Sequence, residues 1–151
     1  MTNILTLTEI IFTGVASKID FQFLKELLSK SDRIRFNFPE EGNNNYSFIV
    51  NLLESSEYID IAFDSLKLNS ISNVFANLVL NNEKIELLFF LDLKDTYCET
   101  HKESVDMLIA WAKDYGSTHN FDTIKCQPDN AEEDEFYFKD GEYGSYYNRL
   151  T

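Results

Sequence analysis

The stretch Asn77-Leu78-Val79-Leu80-Asn81-Asn82-Glu83-Lys84-Ile85-Glu86-Leu87-Leu88 reads as two β-strands joined by a tight turn. Apolar residues alternate on both sides of a polar centre, and asparagine tolerates the positive φ that a two-residue hairpin turn demands. The turn is therefore expected at Asn81-Asn82. Leu87 to Leu91 continues as a nearly unbroken apolar run, which predicts a central strand covered on both faces.

Working outward, Tyr58 to Phe63 is a further strand candidate, and Ser70 to Asn77 fits either a helical turn or the lead into the hairpin. Tyr46 to Leu53 reads as a strand, with a short helix as its alternative. Arg33-Ile34-Arg35-Phe36-Asn37-Phe38 alternates cleanly and stops at Pro39, and Glu40 to Asn45 follows as a polar loop. Ile4 to Thr13 predicts a first strand closed by Gly14. Asp20 is then placed as an N-cap, with Ile19 and Leu24 as a hydrophobic staple. Phe23, Leu24, Leu27 and Leu28 recur at helical spacing, so a helix runs to about Lys30.

Beyond the hairpin, Thr100 and Glu103 stand three apart as a capping box. Val105, Leu108, Ile109, Ala112 and Tyr115 form a helical stripe, widened by Met107 and Trp111, and Gly116 is the expected C′ stop. Phe121 to Cys126 predicts a last strand before Pro128. Consecutive strands between two helices give an α+β fold: a mostly antiparallel sheet of five to six strands with two helices packed on one face. Residues 1–151 are expected to form one domain, with 128–151 as a distinct acidic-aromatic C-terminal segment.

The charge balance is lopsided, with 26 acids against 13 bases, a net −13 and a pI near 4.4. A field of that sign repels nucleic acid and anionic lipid, which need a Lys/Arg footprint, and attracts basic proteins. Solubility alone would also account for it. The N-terminal residues lack a basic stretch followed by an apolar core, and no apolar run nears the ~20 residues of a membrane span. Cytoplasmic residence without membrane contact is expected.

The residues of catalysis are present without their spacing. Cys98, His101, His119 and Cys126 are metal-ligand types, yet the helix rise would set the two histidines ~25 Å apart. Asp129, Glu132 and Asp134 lack the glycine and closing glutamate of a calcium loop. No nucleophile elbow, phosphate-cradling loop or dinucleotide fingerprint occurs, and glycine numbers only five. The expectation is no enzyme, no cofactor and no metal.

What stands out is the ending. Half of the eight tyrosines lie in it, interleaved with acids. Tyrosines supply anchors of low entropy cost, and carboxylates steer a basic partner. The candidate partner-binding residues are Glu132, Glu133, Asp134, Glu135, Tyr137, Asp140, Glu142, Tyr143, Tyr146 and Tyr147. A structural role for the same segment has Phe136 and Phe138 docked in the core and Tyr146 and Tyr147 covering a sheet edge; the two roles are compatible, since strand alternation sends Tyr137 to the opposite face.

With its Cys126-Gln127-Pro128-Asp129-Asn130-Ala131 segment and its ending from Phe136-Tyr137-Phe138-Lys139-Asp140-Gly141 to Tyr147, the chain resembles the immunity proteins of bacterial polymorphic-toxin and contact-dependent inhibition systems. The resemblance implies a cytoplasmic inhibitor that binds a cognate toxin domain, commonly a basic nuclease, with no direct nucleic-acid contact. Two other classes stay open: a nucleic-acid-mimicking inhibitor or other acidic binding module, and an enzyme built from scattered acids and tyrosines.

Overall fold

The computed structural model describes residues 6–69 and 71–150. Its centre is an antiparallel hairpin of β4 (Ile71–Asn81) and β5 (Lys84–Asp92), in register from Phe75 opposite Phe90 to Asn81 opposite Lys84. The turn residues are Asn82 and Glu83, at φ 48° and 70°. The turn thus sits one position later than the asparagine pair indicates, because the alternation of Leu78 and Leu80 with Ile85 and Leu87 sets the register.

Around this hairpin the sheet grows to eight strands in the order β2-β3-β4-β5-β1-β6-β7-β8, every neighbouring pair antiparallel. The remaining strands are β1 (Leu7–Val15), β2 (Arg33–Phe38), β3 (Tyr58–Leu68), β6 (Thr123–Pro128), β7 (Phe138–Lys139) and β8 (Glu142–Tyr143). The helices are α1 (Phe23–Lys30), α2 (Tyr46–Ser55), α3 (His101–Thr118) and a last turn α4 (Ser145–Asn148). The α+β class holds, with eight strands among the described residues where the apolar patterns indicate five to six, and four α-helices where they indicate two. None of the described helices is long and apolar enough to cross a membrane.

One face of the sheet carries Ile10, Phe12, Ile61, Phe63, Leu78, Leu80, Leu87 and Phe89, all buried. Burying each such side chain contributes about 1.5–3 kcal/mol. Helices α1, α2 and α3 cover this face. Trp111 packs edge-on against Phe89 and Phe12, at 5.3 and 5.9 Å between ring centroids, and Phe23 reaches Tyr115 at 6.1 Å. The opposite face is open: on β5, Glu86 is exposed and Leu88 and Phe90 are half-buried. That corrects the expectation of a β5 covered on both faces. Its apolar run reflects the hairpin's central place in the sheet, not a second layer.

Other expectations shift for local reasons. Residues 46–53 form a helix, the alternative to a strand, because the Asn45 side chain accepts the Phe48 amide at 3.2 Å and Ile49 and Leu53 lie four apart facing the core. Asp20 accepts the Gln22 amide at 3.0 Å, two residues ahead of the cap position of α1. Gly14 lies inside β1, and Ile4 and Ser70 fall outside the described residues. Thr100 caps α3 through the Glu103 amide at 3.1 Å. Gly116 is internal to α3, where a Cβ would stand 2.7 Å from Ile124 Cδ1. It lets the helix approach β6 closely and does not terminate it. The last long strand begins at Thr123 and includes Pro128.

Candidate functional site

The C-terminal segment leaves β6 and folds back onto its edge. The Tyr137 amide donates to the Cys126 carbonyl at 2.8 Å, and the Ile124 amide donates to Asp140 Oδ1 at 2.9 Å. The β7–β8 turn falls at Asp140-Gly141, as expected, with φ 46° and 94°. Past β8 the chain lies against α3. The Tyr147 hydroxyl donates to Asp106 Oδ1 at 2.7 Å, and the Lys102 ammonium stands 5.6 Å from that ring's centroid. Lys113 stands over both Phe138 and Tyr143, at 5.0 and 5.6 Å.

Several of the ten candidate residues are tied into this fold. Glu135 accepts the Glu132 amide at 2.9 Å and the Tyr146 hydroxyl at 3.0 Å. Those two donors hold its carboxyl below the usual carboxylate range, chiefly through the amide. The same contact raises Tyr146. Donation to Asp106 pushes Tyr147 up to about 12. Tyr137 is only 2% exposed, and burial pushes it up to about 12. Strand alternation does not apply to it because it precedes β7 in irregular backbone, so Tyr137 and Phe138 are both buried. Its ring does not face solvent. Glu132, Glu133, Asp134, Asp140, Glu142 and Tyr143 are exposed, while Tyr146 and Tyr147 are half-buried.

The tertiary structure adds residues that sequence spacing did not bring together. Strand pairing sets Leu7 beside Asp92 and Thr8 beside Pro128. The Leu93 amide donates to Thr6 O and the Asp129 amide to Leu7 O, each at 2.8 Å. The β5–α3 connection and the β6–β7 connection therefore emerge at one end of the sheet. Asp92 at the end of β5, Asp95 and Glu99 in the first connection and Glu103 in the first turn of α3 join Asp129 and Glu132 to Glu135 from the second. Tyr97 projects there, 80% exposed at φ 58°. Its only signal in sequence is an aromatic set among polar residues.

Cys98 and Cys126 are both free thiols, and burial raises that of Cys126 to about 12. His119 packs on Tyr115 at 4.6 Å and contacts the Asp20 carbonyl through Nδ1 at 3.2 Å. Among the described residues, no three His, Cys, Asp or Glu side chains are grouped to hold a metal ion.

The chain matches the PABL017 Cdi1I immunity protein family over residues 6–142. It is a member of that family. Curated proteins offer no match. Among solved structures, one chain of the crystal structure of the toxic C-terminal tip of CdiA from Pseudomonas aeruginosa in complex with immune protein shares the fold. The TM-score is 0.64 at 18% identity, covering 93% of this chain and 98% of that one. As an immunity protein its role is to neutralise a toxin.

Proposed function

We propose that this immunity protein binds its cognate toxin domain stoichiometrically, in the cytoplasm and without turnover, and that the toxin presents a basic, nuclease-like surface. The observation that carries this is the convergence of acids from two sequence-distant connections, with Tyr97 exposed among them. Clustered carboxylates accelerate encounter with a basic protein, and exposed tyrosines supply anchors once it docks. The two unpaired cysteines accord with a reducing compartment. Family membership supports inhibition over catalysis.

The test is binding of the toxin domain encoded by the adjoining reading frame, measured at low and high salt. Association should slow as salt rises. Replacing Asp95, Glu99, Glu132, Glu133 and Asp134 by their amides should slow association at low salt and flatten the salt dependence. Tyr97→Ala should speed dissociation. Wild-type kinetics in both folded variants would place the toxin contact elsewhere.

A further inference from the structure

At the end of the sheet opposite the acidic connections, a cleft of about 760 Å³ opens between the C-terminus of α2, the 3-10 turn Ala16–Lys18 and the β4–β5 turn. Its floor is apolar: Ile19, Phe21, Leu53 and Leu80 line it, none more than 9% exposed. Its rim carries Glu54, Glu57 and Glu83, all exposed, and no Lys, Arg or His lines it. The last turn of α2 contains no basic residue, so the helix's negative end also meets this rim uncompensated. Lys18 and Lys84 adjoin lining residues in sequence. Lys18 lines a separate groove with Asp122, and Lys84 lies in β5 opposite Val15.

The walls are fastened before any partner arrives. The Asn82 amide donates to Glu57 O at 2.8 Å and the Ala16 amide to Glu83 O at 2.7 Å. Ser55 Oγ donates to Asn51 O at 2.6 Å. Glu83 is also the wrong residue for its backbone: φ 70° at the second position of a two-residue turn favours glycine. A carboxylate at a turn position that favours glycine, on the rim of an apolar cleft that two further glutamates also line, points to a role outside folding.

We propose that this cleft receives a Lys- or Arg-bearing loop of the toxin domain, the aliphatic stem lying on the apolar floor and the cation among Glu54, Glu57 and Glu83. This rests on the binding function above and adds a second, anchoring contact to the acidic end. The experiment compares the wild type, Glu54→Gln with Glu57→Gln, Glu83→Gly alone, and a control neutralised at Glu132, Glu133 and Asp134. Toxin-domain binding kinetics and the thermal midpoint are read for each. The paired cleft variant should lose about tenfold or more in affinity, mainly through faster dissociation. Glu83→Gly should raise the thermal midpoint yet weaken binding, a combination that a purely structural role would not produce. The control should alter association instead. If the wild type itself fails to bind the toxin domain, the proposed function falls. If the wild type binds and both cleft variants bind as it does, whether the cleft takes some other cation or none, this inference is overturned.

Discussion

The β4–β5 hairpin turns through Asn82-Glu83 and the β7–β8 hairpin through Asp140-Gly141, both pairs at positive φ. Their turns are alike and their attachments are not. The first hairpin has strands of eleven and nine residues, with alternate side chains sealed under α1, α2 and α3. The second pairs only two residues on each side and extends the sheet edge. Phe138 anchors it in the core, but much of its fastening is polar: Asp140 to the β6 backbone, Glu135 to Tyr146, Asp106 to Tyr147. Burial makes the first hairpin insensitive to the protonation of surface groups, whereas the second can be loosened by pH.

The largest expected effect lies in the first region. Phe89→Ala removes a ring that touches Phe12, Trp111 and Tyr115 and should cost about 3–5 kcal/mol by denaturant unfolding, and Leu108→Ala about 2–5 kcal/mol. A loss below about 1 kcal/mol at either position would be far under the range for core truncations and would break the contrast.

Gly141→Ala forces a Cβ onto φ 94° in the second turn. Its cost should be about 1–2 kcal/mol, and hydrogen exchange should show the loss concentrated in residues 137–147. Tyr147→Phe should raise exchange at the Gly144 amide several-fold while leaving β4 and β5 amides protected. Uniform deprotection would mean that the two hairpins open as one unit.

The pH dependence follows from the two tethers. Glu135 is depressed in the folded state, so its stabilisation is present above the ordinary carboxylate value and is lost as pH falls through the folded one. Tyr147 is raised to about 12 from 10.0, so its stabilisation is present below 10.0 and is lost as pH climbs towards about 12. Exchange protection in the second hairpin, taken relative to the intrinsic rate at each pH, should therefore fall at both extremes before that of the first hairpin does. The smallest effect belongs to Glu132, Glu133 and Asp134, whose neutralisation should leave stability within about 0.5 kcal/mol.

Legibility followed locality. Thr100 and Glu103, the α3 stripe and the Arg33–Phe38 strand could be read because each pattern is completed within a few residues. Tyr46 to Leu53 was ambiguous because its helix depends on one cap, Asn45, and on a core supplied by distant strands. The C-terminal segment was legible as acidic and aromatic, but not in its division of labour. Glu135, Tyr137 and Tyr147 are engaged by the fold, while Tyr143 stays exposed.

By itself the sequence determined the α+β class, the antiparallel hairpin, the capped third helix and the excess of negative charge. Each follows from local periodicity or from composition, which the chain carries wherever it folds. Only the tertiary structure decided that the acids of residues 92–103 and 129–135 share one end, that Tyr97 projects among them, and that three glutamates ring an apolar cleft at the other. The physical reason is strand pairing. Inserting β1 between β5 and β6 aligns the ends of segments far apart in the chain, and no local pattern records that alignment.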